Sequence, residues 1–222
     1  MKITKENIAI IEGDECISKW VESEGRLDHD PNSLPIMLSY VKEGDTVIDI
    51  GAFIGDQTFA YAKKVGGFGK VIAFEPNPTA FECLEHNMFD FDNVELRNEG
   101  VSDTKGNIKL TDVATNAGMT YAEKAKKGIK CVTIDSLKLN KLNFIKIDAE
   151  GFEHNILKGA IETIKKFKPI MVIEINNHAL LRNGTSNNDV YIFLSELGYG
   201  YRNIYNGQTL YEEQLDLLCI PK

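Results

Sequence analysis

From residue 46 onward, short runs of β-branched apolar residues alternate with longer segments whose apolar residues recur at helical spacing. This alternation constrains the fold more than any other feature, because strands that alternate with helices build a parallel sheet covered on both faces. "TVIDIGA", "KVIAFEP", "VELRNEGV", "NFIKIDAE" and "PIMVIEIN" read as five strands in order. Residues 55–65, "TAFECLEHNMF" and "HNILKGAIETIKKF" read as intervening helices. The right-handed crossover rule leaves few ways to arrange these units, and a doubly wound, mostly parallel α/β sheet is the simplest.

Two regions break the alternation. Between the third and fourth strands, at about residues 103–134, "NIKLTDV" and "KCVTID" predict an inserted antiparallel pair flanking "ATNAGMTYAEKAKKG", and a connection that long in a compact domain is often functional. At the C-terminal end, "GYRNIY" and "LLCIPK" are separated by a loop containing "NGQT" and predict a closing pair whose last strand runs antiparallel. A doubly wound sheet closed in this way is the arrangement of class I methyltransferases, a likeness of fold only. Residues 1–40 form an N-terminal helical cap in this reading, with two helices around "DHDPN" and Asp30 or Asn32 capping the second. The cap either closes a pocket or covers the sheet edge. Residues 41–222 are the Rossmann-like core, and all 222 residues form a single domain.

Composition narrows the function. A net charge of -8 argues against a general nucleic-acid binder, which needs a basic surface to displace counterions. The one basic stretch, "EKAKKGIK", reads as a solvated loop or helix face. Cys16, Cys83, Cys131 and Cys219 are far apart and lack metal-ligand spacing, so they are expected to be small buried apolar residues. No apolar run approaches a membrane span, and "MKITKENIAIIEGDE" does not read as a signal peptide. A cytoplasmic monomer or homodimer without membrane insertion is expected.

"VIDIGAFIGDQT" places a glycine loop after the first strand, at the carboxyl end of the sheet where open α/β proteins bind ligands. A dinucleotide loop reads G-x-G-x-x-G, whereas here Gly51 and Gly55 are four apart and Phe53 stands where a middle glycine would let a pyrophosphate approach. S-adenosylmethionine has no phosphate and suits the loop better. Asp49 ends the first strand and fits its ammonium group; Glu75 ends the second and fits both ribose hydroxyls. The expected cofactor contacts are Asp49, Gly51, Ala52, Phe53, Gly55 and Thr58 from the loop and helix start, with Glu75, Pro76 and Asn77 after the second strand. Val101, Ser102 and Asp148 complete the set, and Phe53 is predicted to wall the methionine end.

Together, "VIDIGAFIG", "GKVIAFEPNPTAFECLEHN" and "VTIDSLKLNKLNFIKIDAEGFEHNILKGAIETIKKFKPIMVIEIN" resemble the FkbM-type methyltransferases over about residues 40–178, with "IKIDAEGFEHNILKGA" the most specific block. "TNAGMT", residues 115–120, resembles the asparagine and glycine loop of that family. The resemblance implies a class I fold, S-adenosylmethionine as methyl donor with S-adenosylhomocysteine as product, and a hydroxyl acceptor on a sugar, glycan or natural product. The family usually has asparagine where this chain has Phe53.

Methyl transfer from a sulfonium is an in-line displacement that requires an aligned acceptor and removal of its proton. "KIDAEGFE" sets Asp148, Glu150 and Glu153 where the fourth strand meets its helix, with Asp148 the first choice of base and Glu150 its rival. Glu153 serves either the acceptor or the helix start. Glu174 and His178, at and after the end of the fifth strand, complete the expected catalytic set, and His29, Asn116, Met119, Glu153 and Asn176 are the expected acceptor contacts. Asp148, Glu174 and Asn176 also allow a divalent metal, as in catechol-type methyltransferases, a reading not favoured. Nucleic-acid methylation is disfavoured by the absence of an Asn/Asp-Pro-Pro-aromatic motif after the fourth strand and of a Pro-Cys pair. A non-catalytic binding subunit and a dehydrogenase are the remaining alternatives.

Overall fold

The computed structural model describes residues 1–28, 30–111, 116–207 and 214–222. Two short strands, β1 (Lys2–Ile3) and β2 (Ala9–Ile10), pair ahead of helices α1 (Ile17–Glu24) and α2 (Ser33–Ser39). The core begins with β3 (Thr46–Ile50), α3 (Asp56–Val65), β4 (Lys70–Phe74), α4 (Pro78–Asn87) and β5 (Val94–Arg97). An inserted sheet follows, made of β6 (Gly100–Val101), β7 (Gly106–Thr111), β8 (Tyr121–Ala125) and β9 (Ile129–Val132). The core resumes with β10 (Phe144–Ile147), α5 (Glu153–Lys158), α6 (Ile161–Phe167) and β11 (Ile170–Asn176). It closes with α7 (Asn177–Arg182), α8 (Asn187–Glu196), β12 (Tyr199–Asn203) and β13 (Gln214–Pro221).

The main sheet has the order β12-β13-β11-β10-β3-β4-β5. Its strands are parallel except β13, which pairs antiparallel with both β11 and β12. The doubly wound sheet with its closing antiparallel strand is therefore present as the alternation requires. The central strands are mostly apolar because both faces are covered. Ile48, Ile50, Ile145, Ile147 and Ile173 face α5, α6 and the inserted sheet through Ile156, Leu157 and Ile164. Val47, Phe144, Val172 and Leu218 face α2 and α3 through Leu34, Met37, Tyr61 and Val65. The N-terminal cap thus covers one sheet face with α2, while its turn at Asp30, Pro31 and Asn32 reaches the cavity described below. Among the described residues, no helix is long and apolar enough to cross a membrane.

The structure differs from the sequence reading in several places. "VELRNEGV" is not one strand: Asn98 turns its side-chain amide onto the carbonyls of Glu75 (2.8 Å) and Pro76 (3.2 Å), and Gly100–Val101 then joins the inserted sheet beside β9. "HNILKGAIETIKKF" is two helices. A Cβ at Gly159 would lie 2.0 Å from the carbonyl oxygen of Ser102, and the Asp135 carboxylate caps the second helix from the amides of Glu162 (3.2 Å) and Thr163 (2.8 Å). The insert contains the expected antiparallel β7 and β9, but β7 also pairs with β8, so "EKAKKGIK" is largely strand rather than loop or helix. Asp30 caps α2, accepting from the amides of Asn32 and Ser33 at 2.9 Å each, while Asn32 makes no side-chain cap. Cys83, Cys131 and Cys219 are buried, but Cys16 is exposed where the chain enters α1. Gln208 and Thr209 of "NGQT" lie outside the described residues.

Candidate active site

A cavity of about 450 Å³ opens at the carboxyl ends of β3, β4, β10 and β11, within the size range of small-molecule sites. The loop after β3 forms its floor. Gly51 and Ala52 both donate their amides to the carbonyl of Phe74 (3.0 Å each), which ties the loop to β4. Gly51 has φ +84, and a Cβ there would lie 1.8 Å from the carbonyl oxygen of Asp148, so only glycine lets β3 and β10 stay paired at this level. Gly55, at φ +93, does not line the cavity; a Cβ there would lie 2.9 Å from Leu84 and 3.1 Å from Met88, so it serves the packing of α3 on α4.

Asp49, the penultimate residue of β3, is only 1% exposed, and Thr58 Oγ1 donates to its Oδ2 at 2.5 Å from the first turns of α3. Burial pushes the Asp49 carboxyl up to about 6 against that hydrogen bond. Thr58 itself is fully buried and does not line the cavity, so it positions the carboxylate. Glu75, past the end of β4, accepts the amide of Phe53 on Oε2 (2.8 Å) and that of Asn77 on Oε1 (2.7 Å), and burial still pushes it up to about 7. Asn77 turns its own side chain to cap α4. Phe53 lines the cavity, but the residue is only 8% exposed and packs in the apolar cluster with Ile54, Leu84 and Val21. Its φ of +49 is a left-handed conformation in which asparagine is several-fold enriched over a bulky residue. Beyond Glu75 and Pro76 the lining turns apolar, with Val101, Ile108, Leu110, Ala122, Phe152 and Ile156; Ser102 is buried away from it.

The opposite end is acidic. Lys146 and Asp49 are cross-strand partners, and Glu174 and Asp216 are partners on β11 and β13. These rows bring Asp148, Glu174 and Asp216 together above a lysine that is only 4% exposed. Lys146 Nζ donates to Asp148 Oδ2 at 2.9 Å. Burial alone would lower the Lys146 ammonium, but the charges of Asp148, Asp216 and Glu174 outweigh it and raise its pKa. Burial would likewise raise Asp148; the Lys146 charge and the hydrogen bonds from Glu174 and Lys146 hold it below the usual carboxylate range. The charge of Asp148, then burial, push Glu174 well up, so the proton shared by these two carboxyls sits on Glu174. Gln214 Nε2 donates to Glu174 Oε1 at 3.1 Å. Glu150, at φ +48, also lines the cavity and is pushed up to about 7 by burial and the charges of Asp148 and Glu153.

Of the residues singled out in the sequence, Asp49, Gly51, Ala52, Phe53, Glu75 and Pro76 line one cavity with Val101, Asp148, Glu150 and Glu174. Glu153 does not: its Oε1 accepts the amides of Ala149 and Gly151 (3.0 Å each), fastening the turn before α5. Asn176 caps α7 through the amide of Ala179, and His178 is exposed on that helix; neither reaches the cavity. Asn116 and Met119 flank the lining residues Ala117 and Gly118 without lining it themselves. His29 and Thr115 lie outside the described residues. Sequence reasoning missed Lys146, Asp56 and Asp216, which all line the cavity. A lysine between isoleucines in "IKID" was the available signal for the first.

Solved structures with the same architecture are S-adenosylmethionine-dependent methyltransferases of class I, and the fold is theirs. The precorrin-6y C5,15-methyltransferase of Geobacter metallireducens GS-15 aligns with a TM-score of 0.54 at 14% identity, covering 99% of this chain and 96% of that one. Methyltransferase FkbM from Methylobacillus flagellatus KT aligns with a TM-score of 0.52 at 19% identity over 79% of this chain and 43% of that one. The methyltransferase FkbM domain matches residues 49–201, and this chain belongs to that family. It is also 30% identical over 169 residues to the hexuronic acid methyltransferase AglP of Haloferax volcanii, covering 72% of this chain and 66% of that protein. The chain thus spans just under two thirds of that relative's length.

Proposed function

We propose that the chain transfers the methyl group of S-adenosylmethionine to a hydroxyl group of a sugar or glycan. The observation that carries this reading is a single cavity joining two acid-ended strands, Asp49 on β3 and Glu75 after β4, to the carboxylates at the end of β10. The donor set fits the cofactor: Asp49 suits an ammonium group, and each Glu75 oxygen, already holding one amide, keeps a lone pair for a ribose hydroxyl. The apolar wall of Val101, Ile108 and Phe152 suits an adenine ring. When bound, the cofactor supplies an electrophilic methyl group. The chain's own residues must then orient the acceptor and take its proton.

We assign proton removal to Glu150 in preference to Asp148. Asp148 is held ionised and weakly basic by Lys146, whereas a carboxyl near 7 matches the working pH of a general base. Calorimetry with S-adenosylhomocysteine tests the reading, and Asp49→Ala and Glu75→Ala are each expected to weaken binding at least about tenfold, the loss of one charged hydrogen bond. Absence of binding, or unchanged affinity in both variants, would sink it.

A second reading is favoured by one observation: oxygen atoms of Asp148, Glu150 and Glu174 all lie within 4.8 Å of one another, a set that suits a hard divalent cation. Asn176, expected as a ligand, does not line the cavity and spends its side-chain oxygen on the amide of Ala179. Such an ion would acidify the acceptor hydroxyl. Full turnover after dialysis against a chelator would remove this reading.

A further inference from the structure

The cavity is polarised. Its apolar end lies toward β5 and the inserted sheet; its other end is lined by Asp30, Asp56, Asp148, Glu150, Glu174 and Asp216. Lys146 is the one cationic side chain among the described residues that line it, and its ammonium is committed to Asp148. Asp216 is held by the Tyr205 hydroxyl at 2.8 Å, and Glu174 by Gln214. Asp56 differs from these. It is 5% exposed and lines the cavity from the first turn of α3, yet among the described residues its carboxylate accepts only from its own amide. A buried carboxylate that faces a cavity with no donor beyond its own amide is a costly arrangement that a cationic ligand relieves.

Given the methyl-transfer reading above, on which this inference rests, we propose that the acceptor carries a protonated amine beside the hydroxyl to be methylated, as an amino sugar does, and that Asp56 receives that amine. Among the described lining residues, an acceptor carboxylate would meet several carboxylates and no cation but the Lys146 already paired with Asp148, and like-charge juxtaposition is an effective means of rejecting a wrong ligand. A hexuronic acid is an anion at neutral pH, so the acceptor class assigned here differs from the one for which the Haloferax relative is named.

The test uses the full chain saturated with S-adenosylhomocysteine and chelator, titrated calorimetrically with glucosamine, N-acetylglucosamine and glucuronate. Glucosamine is expected to bind at least about tenfold more tightly than its N-acetyl counterpart, the scale of one charged hydrogen bond, with glucuronate the weakest. Asp56→Asn is expected to bring the glucosamine to N-acetylglucosamine ratio toward one while S-adenosylhomocysteine affinity is kept. Failure of S-adenosylhomocysteine to bind defeats the methyl-transfer reading itself. With that ligand bound, equal affinities, glucuronate preference or undetectable glucosamine binding overturns the amine assignment alone. Glucuronate binding gained on adding Mg²⁺ overturns it in favour of the metal reading. Loss of S-adenosylhomocysteine affinity in Asp56→Asn with an unchanged ratio assigns Asp56 to the cofactor and also overturns it. The wild-type comparison stands even if the variant fails to fold.

Discussion

Replacing Lys146 by methionine tests the electrostatic logic of the site. The substitution keeps the length of the side chain and removes an ammonium that is 4% exposed and 2.9 Å from Asp148. Breaking a buried pair by deleting one partner costs about 3–5 kcal/mol, because the remaining charge is left uncompensated. For a chain of this length each kcal/mol is worth about 2–4 °C, so the melting temperature should fall by roughly 6–20 °C. The pH dependence has a definite sign. In the wild type the Asp148 carboxyl is depressed, so its contribution is in place above its unfolded value of about 3.9 and is lost only as pH falls through the folded one. Lys146 is raised, so its contribution is fully present below the unfolded value of about 10.4 and does not vary between pH 5 and 8. Without the ammonium, burial acts on Asp148 with only the hydrogen bond from Glu174 opposing it, and its folded pKa rises. An acid raised on folding loses stability as pH climbs, so the deficit should be larger at about pH 7.5 than at about pH 5.5. Calorimetric melts of both proteins at these two values decide the matter. A melting temperature within about 2 °C of wild type, less than one kcal/mol on this scale, or a deficit larger at the lower pH, would refute the reasoning.

Gly51→Ala forces a methyl group into a position 1.8 Å from the Asp148 carbonyl at φ +84; the φ penalty of about 1–2 kcal/mol and overpacking of about 1–3 kcal/mol add to roughly 2–5 kcal/mol. Thermal melts check it, and a wild-type profile would contradict the close approach. Burial raises Asp49 to about 6 and Asp56, Glu75 and Glu153 to about 7, above their unfolded values, so the ligand-free protein should lose stability as pH rises from about 4 to 7. A melting temperature that instead climbs over this window contradicts the burial argument. S-adenosylhomocysteine favours the ionised forms of Asp49 and Glu75, so its binding near pH 6.5 should release protons, with an apparent binding heat that depends on the buffer's ionisation enthalpy. The same heat in two such buffers would count against those two contacts.

The main sheet was legible because its central parallel strands are largely buried on both faces and so read as mostly apolar runs, as in "TVIDI" and "FIKI". Acids at strand ends were legible for the same reason, standing out where the run stops. What the sequence hid depends on tertiary pairing. The split after Arg97 is decided by Asn98 reaching the carbonyl of Glu75, and the helix break by the approach of Gly159 to Ser102, partners far away in sequence. Asp216 could not be linked to Glu174 without the register of an antiparallel pair that begins beyond residue 213. Glu153 shows the limit for local reasoning: its place in the first helical turn was predictable, but its hold on two amides of the preceding turn was not.

The strand order has a consequence for how such a chain diversifies. Asp49 and Glu75 stand on β3 and after β4, whereas Glu174 and Asp216 stand on β11 and β13, with β10 between the two groups. Substitutions in the closing hairpin therefore reach the acidic end without passing through the strands that carry Glu75. One half of the sheet is free to drift while the other stays fixed, and Lys146, on the strand between them, is the residue through which a change in one half is felt by the other.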